Sequence, residues 1–231
     1  MIFIKVIILA AGVGSRLGYG LPKALVRFCD KKTILDHQLE NLERITEPEN
    51  IRVVIGYKGN LIRKRHPNLE YVINRRYKVT NTSKSLLIGL EDLDEDVIWL
   101  NGDVVFDPRI LNLILKEKNE NLICVDNKKV GEEEVKYNLT SDGYIKRLSK
   151  NIPYGLGEAV GINYVKKETL PVLRESLREC EDQDYFEEGI QKSIKKGEKF
   201  KALNIQDNFC IEVDFPEDLE KAREYCKETI K

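Results

Sequence analysis

The chain has 231 residues, which suits one large domain, and its hydrophobic fraction of 42% is ample for a single core. It carries 38 basic and 39 acidic residues, a net charge of -1, so no overall field favours nucleic acid or an anionic membrane. No apolar run approaches the roughly 20 residues of a membrane span. We therefore expect one domain over residues 1–231, with no nucleic-acid partner and no membrane insertion.

The cysteines and histidines limit the kinds of metal site and catalytic site that the chain could form. The five cysteines include no CxxC pair, which is typical of a reduced, cytoplasmic protein with buried thiols. His37 and His66 lie in different predicted elements, so we expect neither a zinc site nor a Ser-His-Asp triad. Any metal ion should then be a hard cation held by carboxylates. The cysteines are Cys29, Cys124, Cys180, Cys210 and Cys226.

A glycine-rich segment follows the first predicted strand. The apolar run from Ile2 to Ala10 leads straight into it and has no basic leader, so it predicts a strand buried on both faces and not a signal peptide. Gly12, Gly14 and Gly18 come next. Glycines let the backbone turn tightly and let an anion approach the amide groups. The segment predicts a phosphate-binding loop.

Two cations accompany the loop. Arg16 lies within it and Lys23 just beyond it, so both side chains can converge on a bound polyanion. The alternative is an ordinary turn with two solvated cations. The spacing matches neither the Walker A motif nor the dinucleotide GxGxxG motif. The second strand, Ile51 to Ile55, is not followed by the acid that would bind a ribose, which counts against NAD.

Helices and strands alternate through the first half of the chain. The periodicity predicts helices from Thr33 to Ile45 and from Asn60 to His66, and strands from Ile51 to Ile55 and from Leu69 to Ile73. This rhythm indicates an α/β fold, a three-layer, doubly wound and mostly parallel mixed sheet. Ligands of such sheets bind at the carboxyl ends of the strands, where the glycine loop should lie.

A further buried strand, Val97 to Leu100, delivers Asn101-Gly102-Asp103 to the same edge of the sheet. Asp103 is therefore the first candidate metal ligand, with an ordinary loop or cap acid as the alternative. Asp107 precedes Pro108, an arrangement that predicts an N-cap and a helix beginning at the proline.

The second half should contain an antiparallel excursion. Alternating runs from Val135 to Leu139 and from Tyr144 to Leu148 flank an Asp-Gly turn, which predicts a hairpin. Strands follow from Val160 to Val165 and from Phe209 to Val213. The last of these ends at Asp214, so we expect Asp103 and Asp214 to follow strands of one sheet.

The run LAAGVGSRLG followed by PKAL resembles the signature of the sugar-nucleotide-type nucleotidyltransferases, the GT-A-like NTP transferases. The resemblance implies that the loop wraps the triphosphate of an NTP and that Arg16 and Lys23 act in catalysis on its phosphates. Asn81 and Ser83 would contact the base or ribose, although simple capping of the helix that follows them explains a polar residue there equally well. The implied loop contacts are Leu9, Ala10, Ala11, Gly12, Gly14 and Ser15.

Two further segments are similar to the phosphocholine-cytidylyltransferase-like branch of that superfamily. They are GDVVFD, whose first acid is Asp103, and EVDFPEDLEKA, whose second acid is Asp214. The resemblance makes these two residues the ligands of Mg²⁺. It also implies acceptor contacts, for which solvated or capping side chains are the alternative: Lys136, Glu158, Tyr185 and Glu187.

The reaction implied is transfer of CMP from CTP to a phosphorylated small alcohol, such as phosphocholine or inositol 1-phosphate, with release of pyrophosphate. Residues 1–130 would mainly bind the nucleotide, and residues 131–231 would mainly bind the acceptor and supply the second metal ligand. A sugar-1-phosphate nucleotidyltransferase remains the alternative within the superfamily. A nucleotide-binding regulatory module without catalysis is the alternative from another class.

Overall fold

The computed structural model describes residues 4–128, 130–131 and 134–229. In this part of the chain the strands are β1 (Lys5–Ala10), β2 (Arg27–Cys29), β3 (Lys32–Thr33), β4 (Ile51–Ile55), β5 (Glu70–Ile73), β6 (Val97–Asn101), β7 (Val104–Phe106), β8 (Asn121–Asp126), β9 (Lys136–Leu139), β10 (Ile145–Ser149), β11 (Glu158–Val165), β12 (Phe200–Asn204) and β13 (Cys210–Glu212). The α-helices are α1 (Ile34–Leu42), α2 (Gly59–Arg65), α3 (Thr82–Leu90), α4 (Arg109–Glu117), α5 (Leu170–Arg178), α6 (Phe186–Lys195) and α7 (Pro216–Thr229).

A nine-stranded mixed sheet forms the centre of the molecule. Its main path runs β10-β9-β11-β6-β1-β4-β5, with β8 beside β11 and β12 beside β8. Strands β6, β1, β4 and β5 are parallel to one another, whereas β11 runs antiparallel to β6, β8 and β9. The predicted α/β fold with a mostly parallel sheet and an antiparallel second half is confirmed.

Helices cover both faces of the sheet. Side chains alternate along each buried strand, so every such strand contributes apolar side chains to both faces. On β1, Val6 and Ile8 pack into the core beneath α1 and α4. Ile7 and Leu9 point the other way, into the core beneath α3, α5 and α6. All six residues of β1 are buried, which explains why every residue after Lys5 is apolar.

A third, smaller core lies beside the sheet. Two antiparallel ribbons, β2-β3 and β7-β13, pack there against α7. The expectation that Asp103 and Asp214 follow strands of one sheet is therefore wrong, since β13 pairs only with β7, outside the central sheet. Strand β7 has three residues and its partner lies more than a hundred residues away, so local periodicity could not reveal the ribbon.

Most element boundaries agree with the sequence pattern to within a few residues. Strand β4 has the predicted bounds, and the Asp-Gly hairpin forms with Gly143 at φ +85°. Helix α4 begins at Arg109, one residue later than predicted, because Pro108 takes the N-cap position. Asp107 still accepts the backbone N–H of Arg109 at 2.8 Å. The predicted first strand extends into residues 2–3, which lie outside the described residues.

The cysteines differ from the expectation. The structure joins Cys29 on β2 to Cys226 on α7 in a disulfide, with the Cα atoms 5.9 Å apart. The remaining three thiols are free and buried. The prediction that all five thiols are reduced is thus wrong for this pair, because a pairing across 197 residues leaves no local spacing signal.

Among the described helices, none is long and apolar enough to cross a membrane.

Candidate active site

The glycine loop leaves β1 at the carboxyl edge of the sheet. Gly14 has φ +64°, and a Cβ on it would lie 2.6 Å from Cγ of Lys23. Only glycine therefore lets the chain fold back so that Lys23 lies against the loop. Leu9, Ala10 and Ala11 are buried where the strand enters the loop, and nothing lies within 4 Å of a Cβ built on Gly12. Ser15 begins a 3-10 turn, and its side chain lies outside the described part.

Lys23 lies between the two predicted metal ligands. Its Nζ donates hydrogen bonds to Asp103 Oδ2 at 2.9 Å and to Asp214 Oδ1. Arg16 approaches the same carboxylate, with Nη1 3.7 Å from Asp214 Oδ1, and its guanidinium lies 5.4 Å from the ring centroid of Phe215. Burial alone would lower the pKa of Lys23, but the two carboxylates outweigh it and raise that pKa. The amine therefore stays charged.

The β7-β13 ribbon brings the two aspartates together. Glu212 pairs with Val104 across the ribbon, and the backbone N–H of Val213 donates to the carbonyl of Asp103 at 3.0 Å. Asp103 precedes β7 and Asp214 follows β13, so both carboxylates emerge at the same end. The ribbon thus brings the two carboxylates together, although they do not follow strands of one sheet as predicted.

The donor set suits a hard divalent cation that is shared with a nucleotide. No three His, Cys, Asp or Glu side chains within the described ranges are grouped so as to hold a metal ion by themselves. Asp103 and Asp214 nevertheless share one cation, the Lys23 ammonium, so the pair attracts positive charge. Mg²⁺ is commonly bound by one or two carboxylates, with water and substrate phosphates completing its shell. The residues present fit that pattern.

The predicted base-binding residues lie at the start of α3. Asn81 is the N-cap, and its Oδ1 accepts the backbone N–H of Thr82 at 2.8 Å. Its own backbone N–H donates to the carbonyl of Asp182 at 2.7 Å. Ser83 is fully buried, and its hydroxyl has no hydrogen-bond partner in the described part of the chain. Capping thus accounts for Asn81, whereas the Ser83 hydroxyl has no structural partner.

Two of the predicted acceptor residues face each other across strands β9 and β11. Lys136 is the register partner of Glu158. The Lys136 amine turns away and donates to the carbonyl of Lys150 at 2.9 Å. Glu158 instead pairs with Lys128, whose Nζ is 3.1 Å from Oε2. Burial raises the pKa of Glu158, and Lys128 opposes that rise.

The other two acceptor residues lie at the N-terminus of α6. Tyr185 is exposed, and the Lys150 amine lies 4.9 Å from the centroid of its ring. Glu187 is buried, and its Oε2 has no hydrogen-bond partner within the described residues. Burial raises the pKa of Glu187 from its ordinary 4.5 to about 7. A buried carboxyl oxygen without a hydrogen-bond partner is costly, so Glu187 is a strong candidate for a ligand contact.

Glu212 lies beside the candidate metal ligands, and the sequence does not predict it as part of the site. Its Oε1 accepts a hydrogen bond from Asn101 Nδ2 at 2.9 Å. Burial and the nearby Asp103 raise its pKa, and Glu187 and Asp214 add to the effect. The carboxyl of Glu212 is therefore close enough to Asp103, Glu187 and Asp214 for their charges to act on it. The sequence carries no local signal for it, because β13 is three residues long and its partner strand β7 lies far away in the chain.

A family model supplies the deciding comparison. The MobA-like NTP transferase domain matches residues 6–200, which is most of the chain. The chain belongs to this family. It is accordingly a nucleotidyltransferase-family enzyme, as the glycine loop and its two cations indicated.

Curated relatives agree with that membership. This chain is 26% identical over 245 residues to CMP-5'-(3-aminopropyl)phosphonate synthase of Streptomyces rubellomurinus, a match that covers 95% of this chain and 38% of that protein. It is 32% identical over 127 residues to the bifunctional protein GlmU of Methanococcus maripaludis, covering 52% of this chain and 30% of GlmU. The chain therefore matches well under half the length of each of these relatives.

Solved structures share the whole fold. The inositol-1-phosphate CTP transferase from T. maritima has a TM-score of 0.80 and 19% identity, covering 98% of this chain and 97% of that one. The CTP:phosphocholine cytidylyltransferase LicC from Streptococcus pneumoniae has a TM-score of 0.80 and 20% identity, covering 97% of this chain and 99% of that one. At these identities the likeness concerns the fold of the NTP transferase domain.

Proposed function

We propose that this chain transfers CMP from CTP to the phosphate of a small phosphorylated alcohol, such as phosphocholine or inositol 1-phosphate, and releases pyrophosphate. The observation that carries the proposal is the Lys23 amine beside the glycine loop, bonded to both Asp103 and Asp214. Three distant segments of the chain meet there. They bring together charged side chains of the kind that would stabilise phosphates during transfer. The choice of CTP draws support from the names of two neighbours in fold and of one relative.

In this proposal the protein works by positioning and charge neutralisation. The acceptor phosphate is already an anionic nucleophile at neutral pH, so no general base is needed, and its main barrier is repulsion from the triphosphate. Lys23, Arg16 and the loop amides would neutralise the phosphates and the departing pyrophosphate. Mg²⁺ held by Asp103 and Asp214 would act as a Lewis acid on the phosphate oxygens.

The acceptor would lie between the carboxyls of Asp103, Asp214 and Glu212 and the N-terminus of α6. Glu158, Glu187 and Tyr185 offer two carboxyls and an aromatic ring, which suit the hydroxyls of inositol or the cation of choline. Lys136 would contact the acceptor phosphate after giving up its bond to the Lys150 carbonyl. On the nucleotide side, Asn81 and the unpartnered Ser83 hydroxyl would contact the base or ribose, beside the loop residues 9–12, 14 and 15.

Two broader statements accompany this proposal. Residues 1–130 would chiefly serve the nucleotide, and residues 131–231 the acceptor and the second metal ligand, within a single domain over 1–231. We also propose a cytoplasmic location, since its substrates would be a nucleoside triphosphate and a phosphorylated metabolite. Reductants of that compartment would then act on the bond between Cys29 and Cys226.

The test is pyrophosphate release in the presence of Mg²⁺. CTP, UTP, GTP, ATP and dTTP are each paired with phosphocholine, inositol 1-phosphate, glycerol 3-phosphate and several sugar 1-phosphates. We expect turnover with CTP and one phosphorylated alcohol. Turnover confined to a sugar 1-phosphate would replace the proposed acceptor, and the absence of turnover with every pair would contradict the proposal.

Variants separate the active site from the rest of the fold. Asp103→Asn and Asp214→Asn should each abolish Mg²⁺-dependent turnover, whereas Asp142→Asn in the exposed hairpin turn serves as the matched control and should retain it. Full activity of either site variant would remove the metal assignment.

A further inference from the structure

A buried glutamine of α1 lies directly behind the turn that carries Asp103. Gln38 is fully buried. Its Nε2 donates to the carbonyl of Asn101 at 2.9 Å and to the carbonyl of Val104 at 2.8 Å. These two carbonyls flank Gly102-Asp103, so one side-chain amide joins both ends of the turn.

The contacts fix the orientation of the amide. Both partners are carbonyl oxygens, which cannot donate, so the nitrogen and not the oxygen of Gln38 must face them. Each of its two hydrogens is then used. The Gln38 oxygen is buried, and no hydrogen-bond partner for it exists in the part of the chain that the structure describes. Burying that oxygen costs stability, so general fold stability alone does not favour glutamine here.

The turn is held from two further sides. The backbone N–H of Gly102 donates to the carbonyl of Leu9 at 2.9 Å, which ties the turn to β1. The N–H of Val213 donates to the carbonyl of Asp103 at 3.0 Å, which ties it to β13. Neither bond reaches the carbonyls of Asn101 and Val104. Without Gln38 those two carbonyls would lose their bonds to α1, and the turn that carries Asp103 would be less firmly held.

We propose that Gln38 is a positioning residue, whose amide holds the Asn101–Val104 turn so that the Asp103 carboxylate faces the shared cation position beside Lys23. The inference rests on the proposed role of Asp103 as a metal ligand. Residues that orient a ligand from behind typically change metal affinity by about 10- to 100-fold when they are replaced. Gln38 should therefore affect divalent-cation affinity more than it affects folding.

The same helix offers a matched control. Asn41 is also buried, and its Nδ2 donates to the carbonyl of Phe106 at 2.8 Å, at the far end of β7. Replacing Asn41 removes a bond of the same type, between the same helix and the same strand, but away from Asp103. A purely structural role would make the two residues equivalent.

The experiment compares Gln38→Met with Asn41→Leu, using Asp103→Asn as the benchmark. Mn²⁺ binding in the presence of CTP is measured by electron paramagnetic resonance, and the Mg²⁺ concentration for half-maximal turnover and the melting temperature are measured beside it. We expect similar losses of melting temperature in the first two variants, about tenfold weaker Mn²⁺ binding in Gln38→Met only, and a matching rise in the Mg²⁺ requirement. Gln38→Asn, too short to reach both carbonyls, should show the same direction and replaces Gln38→Met if that variant fails to fold.

The outcomes distinguish the inference from the proposed function. Mn²⁺ affinity within twofold of the unsubstituted protein in the Gln38 variants, together with a large loss in Asp103→Asn, overturns the positioning role alone. Equal losses of Mn²⁺ affinity in the Gln38 and Asn41 variants overturn it as well. Unchanged Mn²⁺ affinity in Asp103→Asn overturns the proposed metal site and, with it, the inference.

Discussion

Lys23 pairs with two aspartates in this structure and, in the proposed function, would contact phosphate when nucleotide is bound. In this structure its ammonium pairs with both Asp103 and Asp214, at the position that a divalent cation would take. Lys23→Met should therefore lower turnover by about 100-fold or more, because a phosphate contact is lost. It should also strengthen Mn²⁺ binding without nucleotide, because the competing amine is gone.

Steady-state pyrophosphate release and a nucleotide-free Mn²⁺ titration test both parts of this prediction. Lys32→Met is the control, since Lys32 is exposed and pairs with Glu40. Weaker Mn²⁺ binding in Lys23→Met would contradict the idea that the amine and the metal share one position.

Glu187 predicts a pH dependence of stability. Its folded pKa is raised to about 7 from 4.5, so between these values the folded protein binds more protons than the unfolded chain. Stability should therefore fall as the pH rises from 4.5 through 7. Glu187→Gln removes the penalty, and it should raise the free energy of unfolding by up to about 3 kcal/mol at pH 8 and by little at pH 4.5.

Urea unfolding at the two pH values measures this difference. The matched control is Glu188→Gln, the neighbouring and less buried acid, which should change the free energy of unfolding at pH 8 only slightly. A Glu187→Gln effect of the same size at both pH values would contradict the raised pKa.

At the scale of elements, the glycine loop offers two glycines with similar backbones and different surroundings. Gly14 and Gly20 have φ +64° and +61°, but only at Gly14 would a Cβ meet a neighbour, the Lys23 side chain. Both alanine variants should lose about 1 kcal/mol of stability through left-handed strain. Gly14→Ala should additionally displace Lys23 and reduce turnover at least tenfold.

Thermal unfolding and pyrophosphate release with both variants check this prediction. The shift of melting temperature on adding nucleotide should shrink in Gly14→Ala and persist in Gly20→Ala. Equal turnover in the two variants would show that the loop does not position Lys23.

The elements that the sequence predicted are those with strong local patterns. The buried run of β1, the alternation around Gly143 and the apolar stripe of α3 each carry enough residues to define a period. The two ribbons beside the sheet were not predicted correctly, since β2 and β7 have three residues each and depend on packing against α7. Such strands exist because tertiary contacts stabilise them, which local sequence does not encode.

The residues of the candidate site also differ in how far the sequence predicts them. Arg16, Lys23, Asp103 and Asp214 lie in motifs, and the structure brings them together as the resemblance implied. Gln38 and Glu212 emerge only from the three-dimensional packing. Each is a polar side chain whose hydrogen-bond partners lie far away in sequence.

At the scale of the whole molecule, the disulfide joins the two ends of the chain. Cys29 lies six residues after Lys23, and Cys226 lies on the helix that begins just after Asp214. Reduction should therefore lower the free energy of unfolding by about 2–4 kcal/mol, the usual contribution of such a bond. The loss should be accompanied by reduced turnover, because both ends carry site residues.

Urea unfolding with and without a dithiol measures this contribution, and the Cys29→Ser/Cys226→Ser double variant should not respond to the dithiol. Alkylation of the denatured, unreduced protein should modify only the three other cysteines. Modification of all five would show that the bond does not form.

The position of Trp99 gives the molecule a built-in optical reporter. It is the single tryptophan of the sequence, buried on β6 two residues before Asn101. Its ring meets Phe186 edge-on at a centroid distance of 5.8 Å, and Phe186 lies between Tyr185 and Glu187 at the start of α6. Any adjustment of that helix end around a bound acceptor alters the packing of one indole. The ultraviolet emission of the unlabelled protein should therefore follow acceptor binding separately from chemistry.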